Sequence, residues 1–152
     1  MSAETRSARE TLELFLRTVA DGTRDQLADF YAPDAIVEIP FAPGEIPTVT
    51  KGRETMRARM NAAAGALAFD SVENVTLHET ADPEVIVAEY QIFGHLAPTG
   101  KPFTLTYITV TRVLDGLIVS SRDYGNPLEA SALFENAGAD LSALTTESAE
   151  TA

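Results

Sequence analysis

One carboxylate in this chain stands where a carboxylate could move a proton. Asp123 lies in Ser120-Ser121-Arg122-Asp123-Tyr124-Gly125-Asn126-Pro127, at the end of a β-type run from Leu117 to Tyr124. Gly125-Asn126-Pro127 breaks that run before a helical stretch, Leu128 to Phe134. An acid carried onto an apolar face loses hydration, which disfavours its charged form and raises its pKa. Such a group can take a proton from the carbon beside a carbonyl near neutral pH and return it. Tyr107, Thr109 and Ser121 are hydroxyls able to donate to the oxygen that gains charge when the proton leaves. Phe15, Ile39, Met56 and Met60 would line the pocket, thioethers being suited to irregular cavities. The plainer reading of Asp123 is a structural pair with Arg122, Arg112 or a backbone donor. For Thr109 and Tyr107 it is ordinary strand chemistry, and Asn126 before Pro127 reads as a turn former.

Which face Asp123 takes depends on one turn. A three-residue hairpin, Leu114-Asp115-Gly116 with Gly116 left-handed, places Asp123 with Ser121, Thr109 and Tyr107. A two-residue turn at Asp115-Gly116 places it beside Ile108 and Val110 instead, because a one-residue slip reverses both faces. The residues alone leave both registers open, and the first is the one that agrees with the family resemblance described below.

Other chemistries find little support. The chain has no cysteine, so disulfides, thiol catalysis and thiolate metal sites are excluded. Its two histidines, His78 and His95, fall on different strands without metal-ligand spacing, and no metal is expected. No GxGxxG, P-loop or G-x-S-x-G is present, which suits a reaction without a cofactor. With 23 acidic and 11 basic residues the net charge is −12, which argues against nucleic acid or an anionic membrane as partner. No apolar run reaches the length of a membrane span, and Met1 to Arg6 lack a signal pattern. A cytoplasmic protein is expected.

The elements that must position these residues follow from periodicity. Ala8, Leu12, Phe15, Leu16 and Val19 mark a first helix ending at Asp21-Gly22. Thr23-Arg24-Asp25-Gln26 has capping-box form and opens a short helix carrying Leu27, Phe30 and Tyr31, stopped by Pro33. Ala35 to Ile39 is a strand, followed by a loop with Pro40, Pro43, Gly44 and Pro47. A third helix, Gly52 to Ala64, carries Met56, Met60, Ala63 and Leu67 on one stripe. Four strands follow, at Val72 to Glu79, Val85 to His95, Phe103 to Val113 and Leu117 to Tyr124. Three helices before a meander of antiparallel strands is an α+β layout. One domain over residues 1–136 is expected, with a disordered acidic tail over 137–152.

In that order of elements the chain resembles the NTF2-like cone, and within it the SnoaL-like polyketide cyclases and the PhzA/PhzB-type proteins. The resemblance rests on Tyr31-Ala32-Pro33-Asp34-Ala35, Lys51-Gly52-Arg53-Glu54, Thr99-Gly100-Lys101-Pro102, Asp115-Gly116-Leu117-Ile118 and Arg122 to Pro127. It implies a curved antiparallel, mixed-edge sheet wrapped around three helices and enclosing an apolar pocket. It places Asp123 where both groups carry an acid/base residue, a Glu in the phenazine-type proteins. The His and Ser of those proteins stand here as Arg59 and Ala63. The base, Tyr and second acid of ketosteroid isomerases, which share the cone, stand as Ile39, Phe15 and Thr109, so that mechanism is disabled.

The function expected is proton transfer without a cofactor, of cyclase, isomerase or dehydratase type, on a small apolar carbonyl or aromatic, polycyclic metabolite of secondary metabolism. The alternative is a non-catalytic binding or accessory protein using the same pocket. A homodimer is expected through the outer sheet face, with Thr104, Thr106, Ile108, Val110 and Ile118 pointing away from the pocket.

Overall fold

Ser7 and Thr23 start the first two helices by the same device. Each side chain accepts from the backbone N–H three residues on, while Glu10 or Gln26 reaches back to the N–H of the cap. A computed structural model describes residues 5–44 and 46–137. The helices are α1 (Ala8–Asp21), α2 (Arg24–Ala28), α3 (Arg53–Ala64) and α4 (Pro127–Ala137). The strands are β1 (Tyr31–Glu38), β2 (Val49–Lys51), β3 (Leu67–Glu79), β4 (Val85–Leu96), β5 (Pro102–Leu114) and β6 (Leu117–Gly125).

The strands make one curved, open sheet in the order β2-β1-β6-β5-β4-β3, antiparallel except for the parallel β1–β6 pair. This is the mixed-edge α+β sheet expected. Alternation sets its inner face: Ile86, Ala88, Tyr90, Ile92 and Leu96 of β4 are buried, as are Leu105, Thr109, Thr111 and Val113 of β5. Leu12, Leu16 and Val19 of α1 pack into that concave face.

Four expectations change. The short helix stops at Ala28, so Tyr31 and Pro33 belong to β1. The β1–β6 register breaks between Tyr31 and Ile36, and Pro33, which has no N–H to give a ladder, falls in that gap. Leu67 opens β3 and does not extend the α3 stripe, and β3 begins five residues before Val72. The Pro-rich loop contains an edge strand, β2, which pairs Thr50 with Val37. Finally, α4 runs to Ala137, which is buried, so the helical part passes residue 136. The remainder of the expected tail, 138–152, lies outside the described residues, as do 1–4.

The β5–β6 hairpin corrects the expected turn and keeps its consequence. Leu114 pairs with Leu117, so the connection is the two-residue turn Asp115-Gly116, both left-handed at φ 54° and 77°. Val119 is then an extra residue: Val113 pairs with Ile118 but Arg112 pairs with Ser120. That bulge slips the register once more, and Asp123 arrives opposite Thr109. The same geometry turns Ile118 inward, where it is 2% exposed, so it leaves the outer face on which it was expected.

Candidate functional site

The helices do not fill the cone. Between α1, α3 and the inner sheet face remains a cavity of about 310 Å³. Its apolar wall includes Phe15 of α1, Met56 and Met60 of α3, and Ile39 just beyond β1. Tyr107, Thr109, Ser121 and Asp123 line the opposite, sheet side. The structure thus brings every sequence-expected site residue to one cavity. A broader depression of about 480 Å³, lined by Leu14, Arg17, Asp21 and Gln26 among others, lies outside the helices and includes none of them.

Among the described residues, Asp123 is the one acid on the cavity wall. The apolar surroundings push its carboxyl up to about 6, against a smaller opposing effect from a hydrogen bond by Ser121. Ser121 Oγ donates to Asp123 Oδ1 at 2.6 Å. Thr111 Oγ1 lies 3.0 Å from Ser121 Oγ, and both hydroxyls are buried. When Asp123 is ionised Ser121 must give it its only proton, so Thr111 donates to Ser121 and the chain has one polarity.

The structural alternative required a cation or backbone donor on Asp123. Arg112 is engaged by Asp82 and Glu84, and Arg122 Nε donates to the Tyr124 hydroxyl on the outer side. Among the described residues, Ser121 is the hydrogen-bond partner of Asp123, and no cation pairs with it.

Three tyrosines surround the carboxylate. Tyr107 pairs with Tyr90 across the β4–β5 ladder, and their rings stack with centroids 5.6 Å apart. Tyr31 meets the edge of Phe15 at 6.0 Å. Burial first, then the charge of Asp123, raise all three phenols above their ordinary value, so they remain protonated donors. None of the three hydroxyls has a protein partner among the described residues. Thr109 Oγ1 is likewise buried without one. Gly125 opposite Tyr107 leaves room for its ring, since a Cβ there would sit 2.9 Å from Tyr107 Cε1.

Sequence reasoning missed Tyr31, Tyr90, Thr111 and two arginines, Arg24 and Arg59, that also border the cavity. Tyr90 carried a signal: counting back from the Pro98-Thr99 turn sets it opposite Tyr107. Arg59 Nη1 donates to Thr50 Oγ1 at 2.8 Å, tying α3 to β2. The histidines lie elsewhere, His78 on Glu89 at 2.6 Å and His95 on Asp70 at 2.9 Å, both partly exposed.

Comparison with known proteins adds a lineage to this geometry. A model of the SnoaL-like domain matches residues 12–121. A PhzA/B-like protein of Pseudomonas aeruginosa is 34% identical over 122 residues, covering 80% of this chain and 86% of that protein. A crystal structure of a candidate isomerase from Bacillus subtilis aligns with a TM-score of 0.78 at 29% identity, over 89% of this chain and 96% of that one. That of a candidate polyketide cyclase from Pseudomonas putida aligns with a TM-score of 0.70 at 15% identity, over 82% and 96%, and shares the fold.

Proposed function

The chain belongs to the SnoaL-like family, and on that premise we propose that it is a cofactor-independent proton-transfer enzyme of cyclase, isomerase or dehydratase type. Asp123 removes a proton alpha to a carbonyl of a small, largely apolar metabolite of secondary metabolism and returns it at another atom. Tyr107, with Thr109 and the neighbouring phenols, donates to the enolate oxygen while the charge lasts. The observation that carries this reading is the state of Asp123. It faces an apolar cavity with a carboxyl at about 6, and Ser121 holds one oxygen while no cation pairs with it among the described residues. A structural acid would be neutralised by its partner, and a mere ligand-holder would not need a group poised to titrate near neutral pH.

The enzyme acts in the cytoplasm as a homodimer through the outer sheet face. Ile108 of β5 is 46% and Ile36 of β1 40% exposed, on the two strands that flank β6, which suits a second copy packing there.

The test does not need the natural substrate. Exchange of the alpha protons of 2-tetralone in D₂O, followed by NMR, should be accelerated by the protein. Asp123→Asn should slow it by roughly two to four powers of ten. Equal rates for the two proteins would remove Asp123 from the chemistry.

A further inference from the structure

Among the described residues, three charged side chains border the cavity: Asp123, Arg59 and Arg24. Arg59 is tied to Thr50. Arg24, at the start of α2, is held against β3. Its guanidinium carbon lies 3.9 Å from the centre of the Phe69 ring, and Nη2 donates to the carbonyl of Leu67. Among the described residues no carboxylate lies in ion-pair range of Arg24, whereas Arg9, Arg53, Arg57 and Arg112 each meet one or more. Burial lowers its pKa, with no neighbouring anion to offset the effect.

A guanidinium carries five N–H donors in a planar fork that matches a carboxylate. Leu67 takes one of them, and the Phe69 ring holds the plane, so little freedom is lost when the fork is used. A cation on an apolar wall costs desolvation that an anion from the ligand would offset. The net charge of −12 repels anions at a distance, but salt screens that field within about 8 Å, so a local cation decides what the cavity accepts.

We propose that Arg24 is an anion subsite inside the cavity, and that the ligand is an apolar carbonyl compound bearing a carboxylate. The carboxylate sits at the end of the molecule remote from the carbon facing Asp123. Strand order sets that separation: Arg24 rests on β3, and β4 and β5 stand between β3 and the β6 strand of Asp123. Which carbon reacts rests on the proton-transfer reading above, but the subsite is tested by binding alone.

The full chain is titrated calorimetrically with naphthalene-2-carboxylate and with the neutral naphthalene-2-carboxamide at pH 7.5. The wild type should prefer the acid by roughly tenfold or more, the scale of one charge-assisted hydrogen bond. Arg24→Gln should abolish the preference while leaving the amide's affinity in place. Should that variant melt early, Arg24→Met keeps the apolar stem on Phe69 and gives the same reading. Arg24→Lys should recover part of the preference. Equal binding of acid and amide by the wild type overturns the subsite and leaves the cavity standing, as does a preference that survives Arg24→Gln. Binding of neither ligand overturns the cavity as a binding site and the subsite with it. Unchanged tetralone exchange in Asp123→Asn would remove the proton-transfer role without altering the acid preference.

Discussion

Ser121 Oγ lies 2.6 Å from Asp123 Oδ1, and this single donor opposes the burial that raises the carboxyl. A carboxyl at about 6 in the folded chain and at its ordinary 3.8 when unfolded binds more protons folded than unfolded between those values. Stability therefore falls as pH rises from about 4 to about 6, and stays lowered above it.

Asp123→Asn should consequently stabilise the fold while it disables the reaction. The wild type carries a penalty of about 1–3 kcal/mol at pH 7.5 that the neutral amide lacks. Melting temperatures at pH 7.5 should favour the variant, and the difference should close below pH 4. A buried ion pair would give the reverse, a loss of about 3–5 kcal/mol when one partner is removed.

Ser121→Ala removes the interaction that favours the carboxylate, so the pKa of Asp123 should move further up. The base form carries the reaction, and the rate of tetralone exchange should rise through about 6 in the wild type and at higher pH in the variant. Thr111→Val should shift the profile in the same direction by less, because Thr111 acts only by fixing Ser121. A pH–rate profile from 5 to 9 checks both, and coincident profiles would remove the relay.

The β5–β6 hairpin tests how the face of Asp123 is set. Gly116, at φ 77°, stands where a side chain is strained, so Gly116→Ala should cost about 1–2 kcal/mol in denaturant unfolding. Asp115→Gly at φ 54° should cost nothing or stabilise slightly. Equal effects at the two positions would mean that the turn does not require both left-handed residues.

This hairpin also marks how much was legible. Alternation along β5 and the break at Gly125-Asn126-Pro127 located Asp123, Thr109 and Tyr107. The turn was read one residue too long, and the Val119 bulge restored the same face, since two single-residue slips cancel. A bulge is settled by how the sheet curves against its neighbours, which no local pattern in Leu117 to Tyr124 announces. Tyr31 was hidden because Pro33 reads as a helix stop, although it is equally at home in a strand where the ladder is broken. In the sequence Arg24 stands out only as part of the capping box Thr23-Arg24-Asp25-Gln26. Only the approach of β3 to α2 sets it on Phe69.

Exposed Ile108 and Ile36 carry the dimer expectation, and Ile108→Glu tests it without touching the cavity. Light scattering at tens of micromolar should give a dimer mass for the wild type and a monomer mass for the variant. A wild-type monomer would sink the interface, and a dimeric variant would place it elsewhere.

The three phenols around Asp123 can be separated by their ring contacts. Tyr107 stacks on Tyr90 and lies over Gly125, so its ring is held even when the hydroxyl is removed. Tyr107→Phe should leave the melting temperature nearly unchanged, because that hydroxyl has no protein partner among the described residues. If it donates to the developing enolate, loss of the donor should lower kcat by roughly tenfold to a hundredfold with little change in KM. Tyr31→Phe and Tyr90→Phe remove the neighbouring donors in turn, and the largest kcat effect identifies the phenol that meets the oxygen. A Tyr107→Phe effect confined to KM would make that phenol a ground-state contact. No effect in any of the three would leave Thr109, whose hydroxyl is buried without a partner, as the donor to test next by Thr109→Val.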